Sequence, residues 1–412
     1  MGIILNKKQE EACQAAIDWY YNSSNTLFQI SAEAGCGKSV LVGEIVRRLG
    51  LRQEDILPMA YSGQATMVMR MHGLVNAKTC HSGLFDPIQV PVRRNGRILI
   101  DYRFNTPIMR WDYIPKDFTH TKIKLIILDE AWMIPKSMKQ YIDATRIKVI
   151  ATGDPGQLPP VEGEPAYLVD GIIFYLDELM RQSENSGLVY LARRVRRGLP
   201  FDFGLYGNVL VIPKDDLTNQ MIAKSEIVLC GKNNTKIEIN NKVRHEILRI
   251  YSDYPHYGER VICRKNNWKK EVNNEFPLVN GMTGTIISPP FISSMDRSTK
   301  TFKIDFAPDI SPMTPFMDLD INYQFLNSND SIEKEKLKNS EFTRGDLFEY
   351  AYASTTHLAQ GSEYSRGIYI EESMRSSDLQ RALTYTAITR FRDQLIIVKQ
   401  KPKYWNGYNP FS

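Results

Sequence analysis

The residues most able to do chemistry in this chain form one short run, Ala32-Glu33-Ala34-Gly35-Cys36-Gly37-Lys38-Ser39. It lies between an apolar stretch, TLFQIS, and a helical pattern, VLVGEIVRRL. Glycines at 35 and 37 let backbone N–H groups turn toward a phosphate, and the N-terminus of the following helix favours negative charge. Lys38 can reach the β- and γ-phosphates of a nucleotide, and the Ser39 hydroxyl can ligate Mg²⁺. Ala34, Gly35, Cys36, Gly37, Lys38 and Ser39 are therefore the expected ATP-binding loop, with Ala32 standing where the usual pattern has its first glycine. Hydrolysis on such a loop also needs an acid for the metal and a group to activate water. The run LIIL delivers Asp129 and Glu130 at its end: the first suits Mg²⁺, the second can polarise the attacking water. A third apolar run, KVIAT, ends in GDPGQLPP, which puts Gln157 where an amide can sense a γ-phosphate.

These side chains need strands to hold them. The first half of the chain alternates apolar runs with longer helical patterns, which predicts a parallel sheet covered by helices. Strands are expected at 26–31, 125–128 and 148–152, each feeding one functional turn at its carboxyl end, where ligands gather in open α/β sheets. Further runs at 350–354, 367–370 and 394–398 predict a second α/β sheet. Between 85 and 119, VPVRRNGRILIDY predicts a β-hairpin with a tight turn at Asn95-Gly96. Its Arg93, Arg94, Arg97 and Phe104 are candidate nucleic-acid contacts through charge and stacking, and the arginines read equally well as a solvated face. Residues 258–346 read as a β-rich insertion ending in a polar segment at 327–340. Arg193, Arg194, Arg196 and Arg197, the densest basic cluster, read as a solvated helix face.

The whole chain of 412 residues is 42% hydrophobic and 24% charged, which fits several ordinary folded domains rather than a disordered or fibrous protein. No apolar run approaches the roughly 20 residues that span a bilayer. The first residues show no basic-then-apolar leader, so a cytoplasmic location is expected. Five cysteines without a C-x-x-C pair predict free thiols rather than a disulfide framework or zinc site. A net charge of +5 permits a polyanionic partner without specifying one.

Taken in order, the phosphate loop, Asp129-Glu130 and the GDPGQ turn resemble those of superfamily 1 helicases. Leu5-Asn6-Lys7-Lys8-Gln9 is similar to the family's N-terminal motif, which implies that Gln9 reads the adenine edge. Ala60-Tyr61-Ser62-Gly63-Gln64-Ala65 and Thr79-Cys80-His81 resemble strand-contacting elements, implying Gln64, Thr79 and His81 at nucleic acid. Leu179-Met180-Arg181-Gln182 resembles the motif whose arginine, here Arg181, reaches the nucleotide from the second domain. Asn233, Asn240 and Arg244 fall at the spacing of another family motif, with Asn233 at the strand. Thr355-Thr356-His357-Leu358-Ala359-Gln360-Gly361-Ser362-Glu363 is similar to T-x-H-K-x-Q-G-S-E; it implies Thr355 and His357 at nucleic acid, Gly361 and Glu363 at the nucleotide. Tyr385-Thr386-Ala387-Ile388-Thr389-Arg390 resembles Y-T-A-x-T-R, whose arginine is a second finger.

The QLPPV run, the T-x-H block and the hairpin resemble the RecD-like group most. That resemblance implies an α/β fold of two RecA-like parallel-sheet domains, with a β-hairpin insertion in the first and an SH3-like β insertion in the second. The first domain takes 1–84 and 120–178 around a strand-separating pin at 85–119. The second takes 179–257 and 347–412 around an accessory domain at 258–346. The implied activity is ATP-dependent, Mg²⁺-assisted 5′-to-3′ movement on single-stranded DNA with duplex unwinding. Its catalytic residues would be Lys38, Asp129, Glu130, Gln157, Arg181 and Arg390, with Ser39 and Asp129 at the metal. Two other readings stay open: an ATP-gated single-strand clamp, and an RNA helicase of the same superfamily. The implied partners are single-stranded DNA, duplex junctions and single-strand-binding or replication proteins, with no membrane, for a monomer. Leu358 in place of lysine, Trp132 in place of a small residue, and Tyr61-Ser62 in place of Pro-Thr are expected to bear on strand grip rather than on ATP chemistry.

Overall fold

Strand Leu27–Ala32 lies near the middle of the first sheet, in a computed structural model that describes residues 5–401 apart from 34, 95, 102–105, 108, 179–185, 273–275, 290, 297–299 and 341–342. The sheet order is Phe174–Leu176, Leu27–Ala32, Lys148–Gly153, Leu125–Asp129, Ile56–Ala60 and Lys78–Thr79, every pair parallel. Leu125, Ile126, Ile127 and Leu128 are all completely buried, as a central parallel strand covered on both faces requires. The three strands expected from sequence are present, each within one residue at its ends. Leu27–Ala32 leads through the phosphate loop into the helix Lys38–Arg48. Before it, the helix Lys7–Asn22 begins with a capping box between Asn6 and Gln9.

The second sheet runs Gly204–Tyr206, Val209–Pro213, Phe391–Lys399, Tyr364–Ile370, Ile227–Cys230 and Ala353–Thr355, parallel except for its first pair. One sequence expectation is corrected here. The run 350–354 is not a single strand: Phe348–Tyr350 pairs with Arg260–Cys263 in the inserted module, and Ala353–Thr355 joins the second sheet. The chain turns between them because Asn240 Oδ1 accepts both the Tyr352 and the Ala353 N–H, so side-chain bonds replace the ladder.

The inserted module is antiparallel. Its main sheet orders Phe291–Asp296, Thr301–Pro308, Thr283–Ile286, Arg260–Cys263 and Phe348–Tyr350, with Phe316–Asn322 beside Thr301–Pro308. The polar segment expected at 327–340 forms the helix Ser331–Asn339. The paired strands of the hairpin region run from Phe85 to Pro115, within the expected 85–119. Arg93–Arg94 pairs with Arg97–Ile98 across the Asn-Gly turn, while a ladder of Phe85–Pro91 with Met109–Pro115 carries the stalk. Pro87 and Pro91 fit because a two-stranded ribbon leaves one edge of each strand unpaired.

Two contacts position the module. Lys236 Nζ meets Glu349 Oε2 at 2.7 Å and Arg244 Nε meets Glu259 Oε1 at 2.8 Å, both buried, which fastens it to the second lobe. Against the first lobe it is seated so closely that a Cβ on Gly63 would lie 3.0 Å from the Asn280 carbonyl oxygen. Met67 of the first lobe belongs to the module's own apolar cluster.

Candidate active site between the lobes

Gly35 and Gly37 have φ of 85° and 75°, backbone that side chains with a Cβ adopt only with strain, and so the loop can wrap an anion before the helix Lys38–Arg48 begins. Cys36 is buried, and burial pushes its thiol up to about 12, so it serves as packing and not as a nucleophile. Its carbonyl accepts from Gln9 Nε2 at 2.9 Å, while Gln9 Oε1 accepts from the Asn6 N–H at 3.0 Å. Gln9, expected at the adenine edge, is thus fully buried with one end of its amide on the loop and the other on the helix cap at Asn6.

Lys38 Nζ lies 3.2 Å from Glu130 Oε1. Burial opposes the Lys38 charge, but Glu130 and Asp129 outweigh it and hold the ammonium above its ordinary value. Burial likewise opposes ionisation of Glu130; Lys38, and then Arg390 from the other lobe, outweigh it and hold the carboxyl low. Asp129 is pushed up by burial despite Lys38. Its Oδ1 accepts from the Glu130 N–H at 2.9 Å and the Thr152 hydroxyl at 3.0 Å, fixing its direction. Glu130 itself sits at φ 48°, a strained left-handed residue at the strand end.

The Mg²⁺ expectation can be tested against this donor set. Ser39 and Asp129 offer hard oxygen ligands, and among the described residues no group of three or more His, Cys, Asp or Glu could cage a metal. That suits a Mg²⁺ which keeps waters and phosphate oxygens as its other ligands. Gln157 is buried and its Nε2 has no acceptor among the described residues, leaving a donor for an incoming group.

Second-lobe residues close the site. Arg390 is buried, braced by the Thr386 carbonyl at 3.2 Å, the Ser362 carbonyl at 3.4 Å and the Thr389 hydroxyl at 3.2 Å. The turn carrying Gln157 is tied across the lobes: the Leu158 N–H donates to Thr386 Oγ1 at 2.9 Å, and Gln360 Nε2 donates to the Leu158 carbonyl at 3.1 Å. A cleft of about 460 Å³ opens beside this seam, with Glu33 and Gly35 on one side and Arg193, Glu363, Tyr385 and Thr389 on the other. Gly361 lies elsewhere: at φ 85° it abuts Ala65 of the first lobe, where a Cβ would meet backbone at 3.1 Å. Arg181, Ala34 and Phe104 lie outside the described residues.

Apart from the hairpin arginines, the expected strand contacts lie at or just beyond the carboxyl ends of strands of both sheets. Gln64 is half-buried one residue into the helix Gly63–Met71, near Gly281 of the module. Thr79 is buried and caps the next helix by accepting the Ser82 N–H at 3.2 Å. His81 is exposed, its ring between Tyr61 at 5.9 Å and Phe85 at 6.2 Å, so Tyr61 joins an aromatic row there. Thr355 and His357 are half-buried and Asn233 is exposed at the start of the helix Asn233–Lys242. Arg93 and Arg97 are exposed on the hairpin; Arg94 is placed by its backbone alone.

Two expectations change. The basic cluster is not simply a solvated face: Arg196 Nη1 donates to buried Asp154 at 2.6 Å, because the helix Gly187–Arg196 turns this residue toward the first lobe. Trp132 meets the turn that carries Gln157, its indole N–H donating to the Gln157 carbonyl at 3.0 Å. Asp154, Tyr385, Thr386 and Gln360 belong to the motifs named above, and their contacts emerge only where the lobes meet.

Comparison with known proteins agrees with this fold. A family model described as an AAA domain matches residues 13–163, and one described as a UvrD-like helicase C-terminal domain matches 350–398. Bacteroides Pif1 bound to single-stranded DNA superposes with a TM-score of 0.55 at 16% identity, covering 96% of this chain and 92% of that one. The Pif1 helicase of Candida albicans gives 0.54 at 15%, covering 96% and 94%. At these identities the likeness is one of fold. An uncharacterized protein of Acanthamoeba polyphaga mimivirus is 26% identical over 200 residues, 43% of this chain and 39% of that protein. The chain thus matches only about two fifths of that curated relative's length. Among the described residues, no helix is long and apolar enough to cross a membrane.

Proposed function

We propose that this chain, whose family-model matches and fold are those of superfamily 1 helicases of the Pif1/RecD-like type, uses ATP to move 5′ to 3′ along single-stranded DNA and to separate duplex ahead of it. One observation carries the reading. Glu130 of the first lobe lies under the charge of Lys38 from its own lobe and of Arg390 from the other. A γ-phosphoryl group beside Glu130 meets cations from both sheets only when the lobes are close. Lys38 neutralises the phosphate oxygens, Glu130 orients the attacking water and accepts its proton, and Arg390 stabilises the charge of the transition state. Ser39 and Asp129 would hold Mg²⁺, which adds charge neutralisation at the phosphates. Gln157 offers its orphaned amide donor to the γ-phosphate, and its turn is bonded to Thr386 through Leu158. Nucleotide occupancy thereby reaches the loops that carry Thr355, His357, Gln64, Thr79 and His81. Closure and release become a population shift driven by contacts present in one state.

Strand displacement on substrates with either a 5′ or a 3′ single-stranded tail, with and without ATP, tests this directly. Displacement of the 5′-tailed substrate alone is expected. Preference for the 3′ tail would refute the polarity. ATP hydrolysis without displacement would favour a clamp, and stronger stimulation by RNA than by DNA would favour an RNA substrate.

A further inference from the structure

At the edge of the cleft lies a second set of paired polar groups that the hydrolytic residues do not use. Glu33, from the phosphate loop, and Asp154 face Arg193, Arg196 and Tyr385 of the second lobe. Arg196 Nη1 donates to Asp154 Oδ1 at 2.6 Å and to Tyr385 Oη at 3.1 Å, and Tyr385 Oη donates to Asp154 Oδ2 at 2.6 Å. The guanidinium sits 5.6 Å from the centre of the Tyr175 ring and 5.4 Å from that of Tyr385, so its plane is confined. Its other edge is held loosely: Arg196 Nε is 3.6 Å from Glu33 Oε1, and Arg193 Nε is 4.0 Å from Glu33 Oε2. Those are ion-pair distances without hydrogen-bond geometry. Asp154 is completely buried, whereas the Glu33 side chain keeps 14% of its surface and lines the cleft beside Gly35. Burial raises the Glu33 carboxyl in spite of both arginines, the mark of a poorly solvated anion.

We propose that Glu33 is a built-in competitor for the nucleotide's polyphosphate, and that Arg196 is the positioning residue over which the two compete. Resting on the nucleotide-driven reading above, this assigns the cleft a threshold. A polyphosphate entering beside Gly35 takes the Nε edge of Arg196, and Arg193 with it, from Glu33. The Asp154 edge stays fixed, so the exchange pulls on the turn that carries Gln157. Arg196 thus links phosphate occupancy to the helix Gly187–Arg196 and the second lobe.

The test is direct binding of a fluorescent ATP analogue and of adenosine to the full chain, without turnover. Removing one carboxylate about 4 Å from two guanidinium groups is expected to tighten ATP binding about fivefold in Glu33→Gln, an effect of ordinary partly exposed charge pairs. Adenosine, which has no phosphate, is expected to bind unchanged. The gain is expected to vanish in the Glu33→Gln/Arg196→Gln double variant relative to Arg196→Gln, because the coupling runs through that guanidinium. Glu33→Ala repeats the test with the side chain removed, and thermal unfolding reports that each variant is folded. Unchanged ATP affinity in both Glu33 variants, an equal gain for adenosine, or a gain that persists in the double variant would overturn the proposal. A folded wild-type chain that binds no ATP would instead bring down the nucleotide reading itself, and this inference with it.

Discussion

At the scale of single residues, Glu130 shows how much chemistry is packed into one strained position. Its backbone is left-handed, its carboxylate lies 3.2 Å from Lys38, and the charge of Arg390 reaches it from the other lobe. Glu130→Gln keeps the shape but not the base. Hydrolysis is expected to fall by about 10²–10⁴-fold, the usual worth of a general base, with ATP binding retained. Near-normal turnover, measured by phosphate release, would remove Glu130 from the mechanism. Gln9 makes the opposite point. Its amide joins the helix cap at Asn6 to the Cys36 carbonyl, so reading an adenine edge requires it to leave the phosphate loop. Gln9→Ala is expected to cost about 1–2 kcal/mol in urea unfolding, the sum of two lost side-chain hydrogen bonds, while Asn6 still caps the helix through the residue 9 N–H. A variant as stable as the parent would show that these bonds are not made in solution.

Among the elements, the strands of the first sheet could be read from sequence because they are continuous apolar runs ending in motifs, and LIIL is buried on both faces. The break at Ala351 could not. FEYAYAS is apolar enough for one strand, and only the Asn240 side chain, far away in sequence, decides that it serves two sheets. The charge run at 193–197 is a related case: composition gives the number of arginines but not which one meets a buried carboxylate. The module seam is a third feature hidden from sequence. Glu349 is buried against Lys236 at 2.7 Å, Lys334 at 3.2 Å and Arg264 at 3.4 Å. Burial works against its charge, but these three cations outweigh it and hold the carboxyl well below the usual range. Glu349→Gln would leave those cations facing one another. It is expected to destabilise the chain by about 3–5 kcal/mol, the cost of breaking a buried pair from one side. Urea unfolding measures this, and a loss under 1 kcal/mol would mean the seam is hydrated and weak.

For the molecule as a whole, the question is whether the hairpin acts as a pin or merely decorates a motor. Its stalk pairs Phe85 with Pro115 through Pro91 with Met109, about 20 Å of ladder at the usual rise per residue. The root is not loose. Phe85 packs edge-on against Tyr141 at 4.7 Å and lies beside His81, while Lys116 Nζ donates to the Ser82 carbonyl at 2.7 Å. The stalk therefore springs from the same short helix, Cys80–Leu84, that carries the expected strand contact, so force on the pin and grip on the strand share one support. Replacing residues 88–112 with a short Gly-rich turn leaves that root, the phosphate loop and the interlobe bonds in place. Strand displacement is expected to be lost while DNA-stimulated hydrolysis continues, since the excised segment carries none of Lys38, Glu130, Gln157 and Arg390. If the shortened chain still separates forked duplexes at the parent rate, the wedge must be sought in the module or in the lobes themselves. If hydrolysis disappears together with displacement, the hairpin is part of the coupling between nucleotide and strand, and the division of labour between motor and pin fails.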